Sequence, residues 1–210
     1  LQALRAIVAR ELMKFVRQYG RLVSALVRPL LWLAVFAAGF RNVFGVAIAP
    51  PYETYIPYDE YIAPGLVGMV LLFNGMQSSL AMVYDREMGL MRLLLTAPLP
   101  RWWVLASNLI ATAVLSFLQA AAFLVVAALI GTQVPWPGLH AIVAAICAAL
   151  MFGALGLLLS VHIKQLENFA GTMNFVIFPM YFISTALYPL WKLEESGATW
   201  VWRIAQVNPF

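Results

Sequence analysis

The sequence predicts an all-α fold, a polytopic bundle of membrane-spanning helices with an interfacial helix at its start. Two observations carry this. Of the 210 residues, 63% are hydrophobic and only 10% are charged, against about 45–50% apolar and about 25% charged in a soluble domain. The apolar residues also fall in continuous runs, close to or beyond the roughly 20 residues that a helix needs to cross a bilayer. A helix satisfies its own backbone groups in lipid. A transmembrane β-barrel would instead show short alternating segments.

Residues 1–20 read as an amphipathic helix. Leu1, Leu4, Ile7, Val8, Leu12, Phe15, Val16 and Tyr19 recur at three- and four-residue steps, while Arg10, Lys14, Arg17 and Arg21 occupy another face. Such a helix lies in the headgroup plane, as a plain anchor or as a docking element. Five spans follow, over residues 22–43, 61–83, 102–130, 139–161 and 168–190. Arg28-Pro29 lies near the start of the first, where a long arginine can snorkel. Pro64-Gly65 and Gly68 would permit a bend in the second. Ala141, Ala145, Ala149 and Gly153 repeat every four residues in the fourth, a small-residue stripe suited to close helix packing. Glu167 opens the fifth, where the helix dipole favours a carboxylate. Residues 191–210 form a tail whose Trp191, Trp200 and Trp202 suit an interfacial aromatic belt.

The connecting segments set the orientation. Arg5, Arg10, Lys14, Arg17, Arg21, Arg28, Arg86, Arg92, Arg101 and Lys164 fall on one side; Arg41, Lys192 and Arg203 fall on the other. The loop with Pro50-Pro51, Glu53, Pro57, Asp59 and Glu60 has neither lysine nor arginine. Positive residues gather on the cytoplasmic side. The N-terminus, residues 84–101 and the turn at 162–167 are therefore expected inside, and residues 45–60 and 191–210 outside. The net charge of +4 is a topology signal, since the basic residues flank apolar runs and form no patch for nucleic acid. Arg5, Arg10, Glu11, Lys14 and Arg17 interrupt any signal-peptide core. Cys147 is the one cysteine, so no intrachain disulfide forms. From Leu1 and Phe210 as end residues, we expect a piece of a longer protein.

Several chemistries lack their residues. No glycine is followed by lysine, so there is no G-x-x-x-x-G-K-[ST] phosphate loop. His140 and His162 do not make the H-E-x-x-H spacing of a zinc site, so no metal ligands are assigned. No G-x-S-x-G elbow occurs. No carboxylate sits in mid-span, which speaks against a proton relay. A membrane protein so equipped is expected to draw its energy or its chemistry from a partner.

The segment Tyr84 to Arg101 is the informative one. Asp85 is placed to cap a short helix. Met88, Met91, Leu94 and Leu95 give that helix an apolar stripe, and Pro98 and Pro100 close it. An apolar face outside the bilayer needs a partner or the membrane surface as cover. An interfacial turn with salt-bridged charges is the plainer alternative. Asp85, Arg86, Glu87, Gly89, Leu94 and Pro98 resemble, without a gap, the D-R-E-x-G-x-x-x-x-L-x-x-x-P signature of ABC-2 type transporter permeases. Asn208-Pro209 is similar to the Asn-Pro that precedes that family's last helix.

The resemblance implies six spans, the last missing here, and a dimer of permeases, most simply a homodimer, on two copies of a separate ABC ATPase. It implies a multi-pass exporter subunit of the bacterial inner membrane. The chain would bind no cofactor itself, ATP and Mg residing in the partner ATPase. Residues 84–101 would be the coupling helix in a groove of that ATPase, with Asp85, Arg86, Glu87, Met88, Gly89, Met91, Leu94 and Pro98 as its contact residues. Residues 191–207 would match a re-entrant hairpin on the outer side. Gln165 to Gly171 and Phe73 to Gln77 resemble the subgroup that accompanies bacterial alcohol-oxidation systems.

Asn74, Gln77 and Ser78 share one face of the second span, and Thr172 and Asn174 lie in the fifth. They line a substrate path on one reading and serve as interhelical hydrogen-bond glue on the plainer one. Two rivals to the permease remain: an intramembrane lipid-modifying enzyme, for which converging ionisable residues are lacking, and a passive channel or assembly scaffold.

Overall fold

A computed structural model describes residues 8–9, 13, 23, 27–35, 58–91, 96, 100–131, 138–187, 190–195 and 197–210. Among the described residues all regular structure is helical. Six helices follow in order: α1 (Tyr58–Glu87), α2 (Arg101–Leu129), α3 (Leu139–His162), α4 (Leu166–Phe182), α5 (Leu190–Glu195) and α6 (Thr199–Val207). Residues 27–35, from the expected first span, are also helical. Nearly all of the N-terminal amphipathic stretch, and of residues 36–57, lies outside the described residues.

Three described helices are long and apolar enough to cross a membrane: Glu60–Glu87, Trp102–Leu129 and Leu139–His162. They coincide with the second, third and fourth expected spans. The bundle is built around α1, which buries Ile62, Leu66, Met69, Val70, Phe73, Met76 and Val83. About two thirds of its crossing window is buried (67%), whereas α3 buries 22% of its own. The outer face of α3 is therefore left to lipid or to another chain.

Side-chain pairings fix the directions. Gly75 meets Phe152 and Gly156 meets Ser79, so α1 and α3 run parallel. The Ser78 and Thr112 hydroxyls are hydrogen-bonded and Gln119 faces the level of Asn74, so α2 runs antiparallel to α1. Tyr58 and Tyr61 donate to the carbonyls of Leu187 and Thr185 at 3.0 and 2.9 Å, so α4 is antiparallel as well. Glycine allows the tight α1–α3 contact: a Cβ on Gly75 would stand 2.7 Å from the Phe152 carbonyl carbon. Of the small-residue stripe, Ala149 and Gly153 are buried, with Gly153 against Leu109 of α2, while Ala141 is exposed.

The helix expected over 168–190 ends early. α4 stops at Phe182 after 17 residues, about 26 Å at about 1.5 Å per residue, at the short limit for a span. The chain then turns through 183–187. Pro179 denies the helix one backbone donor. Ser184 Oγ donates to the Tyr181 carbonyl (2.6 Å) and accepts from the Ala186 amide (3.2 Å). Asn208 completes the stop: its Nδ2 donates to the carbonyls of Met180 (2.7 Å) and Ile183 (2.9 Å). Glu167 occupies the first turn of α4, as expected from the dipole.

Two further positions are fixed. α1 continues through Pro64, and Gly68 serves as a seat for the Phe210 ring, whose Cζ lies 2.8 Å from where a Gly68 Cβ would be. Arg28 does not reach for the interface. Its guanidinium lies over the Phe73 ring, 4.3 Å from the centroid, near the middle of α1.

Candidate coupling segment and a mid-depth polar cluster

Asp85 is no helix cap. Asp85, Arg86 and Glu87 form the last turn of α1, which extends past the apolar run instead of restarting there. Backbone bonds continue one residue further, Met88 N to Tyr84 O at 3.0 Å, before Gly89 takes φ 76°. A left-handed residue one or two places after a helix is the common glycine stop. Among the described residues no heavy atom comes within 4 Å of a Cβ built on Gly89, so within the chain its conformation is the reason for glycine. Residues 90–91 are helical again. Leu94, Leu95 and Pro98 lie outside the described residues.

Arg86 Nη1 donates to the Ser160 carbonyl in the last turn of α3 at 2.9 Å. A guanidinium there meets a carbonyl that has no partner within its helix, and the negative end of the helix dipole. The bond ties the end of α1 to the end of α3. Around it Tyr84, Met88 and Leu90 are exposed, Met88 by 59%. Met91 is half-buried, and Glu87 is exposed. The segment thus presents apolar and acidic groups on a base anchored to a second helix. The signature residues were legible in the sequence; the Ser160 partner was not, since a backbone carbonyl leaves no mark on residue type.

The second candidate group divides. Ser78 bonds Thr112 across α1 and α2, which is the interhelical glue. Thr172 donates to Asn168 O of its own helix at 2.8 Å, and Asn174 is exposed. Neither lines the cavity that Asn74 and Gln77 share with Arg28, Pro29, Met69, Val70, Phe73 and Gln119. That cavity is about 20 Å³, enough for about one water. Asn74 is 8% exposed and Gln119 3%. Asn74 Nδ2 and both Gln119 amide atoms have no hydrogen-bond partner. The Arg28 side chain is exposed, its guanidinium held at the level of mid-α1 by Phe73, and an ionisable group at that depth marks a functional position. Gln119 was missed in the sequence, although it is the sole amide between Leu109 and Ile130.

Among the described residues no group of three or more His, Cys, Asp or Glu could hold a metal. Cys147 is exposed.

The family model described as ABC-2 type transporter matches residues 2–210. The chain is 30% identical over 218 aligned positions to a protein of Cyanophora paradoxa named "Putative transport permease ycf38", covering 100% of this chain and 70% of the relative. It is 28% identical to the protein of the same name from Porphyra purpurea, again over 100% of this chain and 70% of the relative. No solved structure matches it.

Proposed function

The chain belongs to the ABC-2 type transporter family, and on that premise we propose that it is the permease subunit of an ATP-driven exporter, powered by a separate ABC ATPase. The observation that carries the coupling assignment is the bond from Arg86 to Ser160. It makes the end of α1 and the end of α3 one mechanical unit directly beneath the exposed Met88 and Leu90. The partner ATPase, with its ATP and Mg, closes on this unit from the cytoplasm. The parallel helices α1 and α3 then move together against α2 and α4.

Two permease copies enclose the pathway, resting on two ATPase subunits. The sparsely buried face of α3 supports a protein partner or lipid beside it. The charge distribution supports a cytoplasmic N-terminus, and we assign the protein to the inner membrane of a bacterium. The α5–α6 hairpin, with Phe210 folded back on Gly68, supports a re-entrant element on the outer side.

The test is purification of the full-length permease from its native membrane, followed by reconstitution with the ATPase that accompanies it. We expect ATP hydrolysis stimulated by the permease and directional transport. Absence of any phosphate-loop ATPase from the purified complex, or hydrolysis by that ATPase unaltered on adding the permease, would overturn the proposal.

A further inference from the structure

We propose that Arg28, Asn74 and Gln119 form a mid-depth site for a phosphomonoester headgroup carried on an amphiphile. It deepens the permease reading by giving the pathway a ligand class, and rests on that reading only in calling the occupant cargo.

The donors and acceptors define the class. The Arg28 guanidinium lies over the Phe73 ring, 4.3 Å from its centroid, and carries five N–H donors, more than a ring face can occupy. The carboxylates nearest along α1 are Glu60 and Asp85, about 20 Å and about 18 Å from Phe73 at about 1.5 Å per residue. Neither can compensate Arg28 at that level. Asn74 Nδ2 and Gln119 Nε2 are buried donors without partners, and Gln119 Oε1 is a buried acceptor without one. A ligand that fits is anionic and accepts at least two hydrogen bonds, and one that also donates serves Gln119 Oε1. A carboxylate or a sulfate ester lacks the donor. A phosphomonoester, whose second pKa is about 6, supplies both when singly protonated. A single water in the cavity would pair the amides but would leave the arginine uncompensated.

The surroundings argue for an amphiphile. Beside Arg28, its own helix exposes Val27, Leu31 and Val35 at four-residue steps, an apolar strip along which hydrocarbon can lie. The cavity admits about one oxygen atom, so one oxygen of the headgroup enters between the amides while the rest of the head stays outside, beside the exposed Arg28.

The experiment uses the intact permease in neutral detergent, without the ATPase. Its thermal unfolding midpoint is followed against dioctanoyl phosphatidic acid, dioctanoyl phosphatidylcholine and inorganic phosphate. We expect a saturable rise with phosphatidic acid alone, and a half-saturation at least about tenfold higher in Arg28→Gln, the size of one lost charge-assisted bond. Gln119→Leu should weaken binding as well. If Arg28→Gln does not fold, Arg28→Lys replaces it, and the loss of the planar fork should still weaken binding. An equal rise with phosphatidylcholine identifies an apolar groove and overturns the site. An equal rise with inorganic phosphate keeps the oxyanion site and overturns the amphiphile. No rise with any probe, or a rise unchanged in the Arg28 variants, overturns both. The coupling assignment stands or falls separately, because no ATPase is present.

Discussion

Arg86 and Ser160 are 74 positions apart, and the Arg86 guanidinium donates to the Ser160 carbonyl oxygen at 2.9 Å. Two helices that run parallel through the bundle are thereby joined at one end. The joint lies one turn from Gly89, where α1 stops. Arg86 and Glu87 are sequence neighbours with different surroundings, and the difference is testable.

Arg86→Ala removes a bond within the protein, and Glu87→Ala removes an exposed side chain. We expect Arg86→Ala to lower stability by about 1–2 kcal/mol, the low end for a charged hydrogen bond because the site is half exposed, and to reduce transport per ATP hydrolysed. Glu87→Ala should leave the unfolding midpoint unchanged and weaken association with the ATPase. Equal midpoints for both variants, with full transport in both, would show that the segment is only an interfacial turn.

Gly89 holds φ 76° in open surroundings. The penalty for a side chain there is conformational, about 1–2 kcal/mol for an L-residue in the left-handed region, and nearly independent of size. Gly89→Ala and Gly89→Leu should therefore lower the unfolding midpoint alike, and Gly89→Asn less than either. A much larger loss for leucine than for alanine would point to a crowded site instead.

The chain directions constrain topology without reference to charge. α1 and α3 are parallel, so residue 88 and residue 164 must lie on one side of the membrane. Cysteines placed at Met88 and Lys164 in a Cys147→Ala background should react alike with an impermeant thiol reagent, only after the membrane is broken. A cysteine at Thr54 or at Thr199 should react in intact cells. Opposite behaviour of Met88 and Lys164 would contradict the helix order itself.

The second, third and fourth spans were readable because a continuous apolar run is a direct consequence of crossing lipid. Helix ends were less so. α1 outlasts its apolar run by a turn, because helix formation does not require apolar residues and the stop at Gly89 is set by backbone geometry. α4 ends before its apolar run does, because Tyr58, Tyr61 and Asn208 take its terminal carbonyls and those of the turn beyond. Tyr58 and Tyr61 reach across 129 and 124 positions, and no local pattern announces such caps. The signature around Asp85 to Gly89 was legible by resemblance, while the cluster of Arg28, Asn74 and Gln119 required three helices to be superposed in depth. Residue type gives span and side, but not the register of one helix against another.

Gly75 tests the closest helix contact. Its Cβ would stand 2.7 Å from the Phe152 carbonyl carbon and 2.9 Å from the Gly153 nitrogen. Backbone cannot swing aside as a side chain can, so Gly75→Ala should part α1 from α3 at a cost of about 1–3 kcal/mol, as overpacking does. Among the described residues Gly171 has no atom within 4 Å of its would-be Cβ, and Gly171→Ala should not lower the midpoint. Equal tolerance of both substitutions would mean that the helices are not packed at the Gly75 level.

Asn208 joins the tail to the bundle in both directions. Its Nδ2 serves Met180 and Ile183, and its Oδ1 accepts from the Phe210 amide at 3.1 Å. That turn delivers the Phe210 ring to a seat stacked on Phe152 with centroids 5.6 Å apart, edge-on to Tyr181 at 5.5 Å, and over Gly68. Asn208→Ala leaves two carbonyls without this donor and should cost about 2 kcal/mol. Asn208→Asp keeps the acceptor for Phe210 but turns a carboxylate on two carbonyls, so it should be at least as damaging. If Asn208 acts by placing Phe210, the losses in Asn208→Ala and Phe210→Ala must overlap. The double variant should then fall short of the sum by more than about 0.5 kcal/mol, beyond the scatter seen for independent sites. Strict additivity would mean that Asn208 only closes α4, and that the aromatic seat holds the tail unaided.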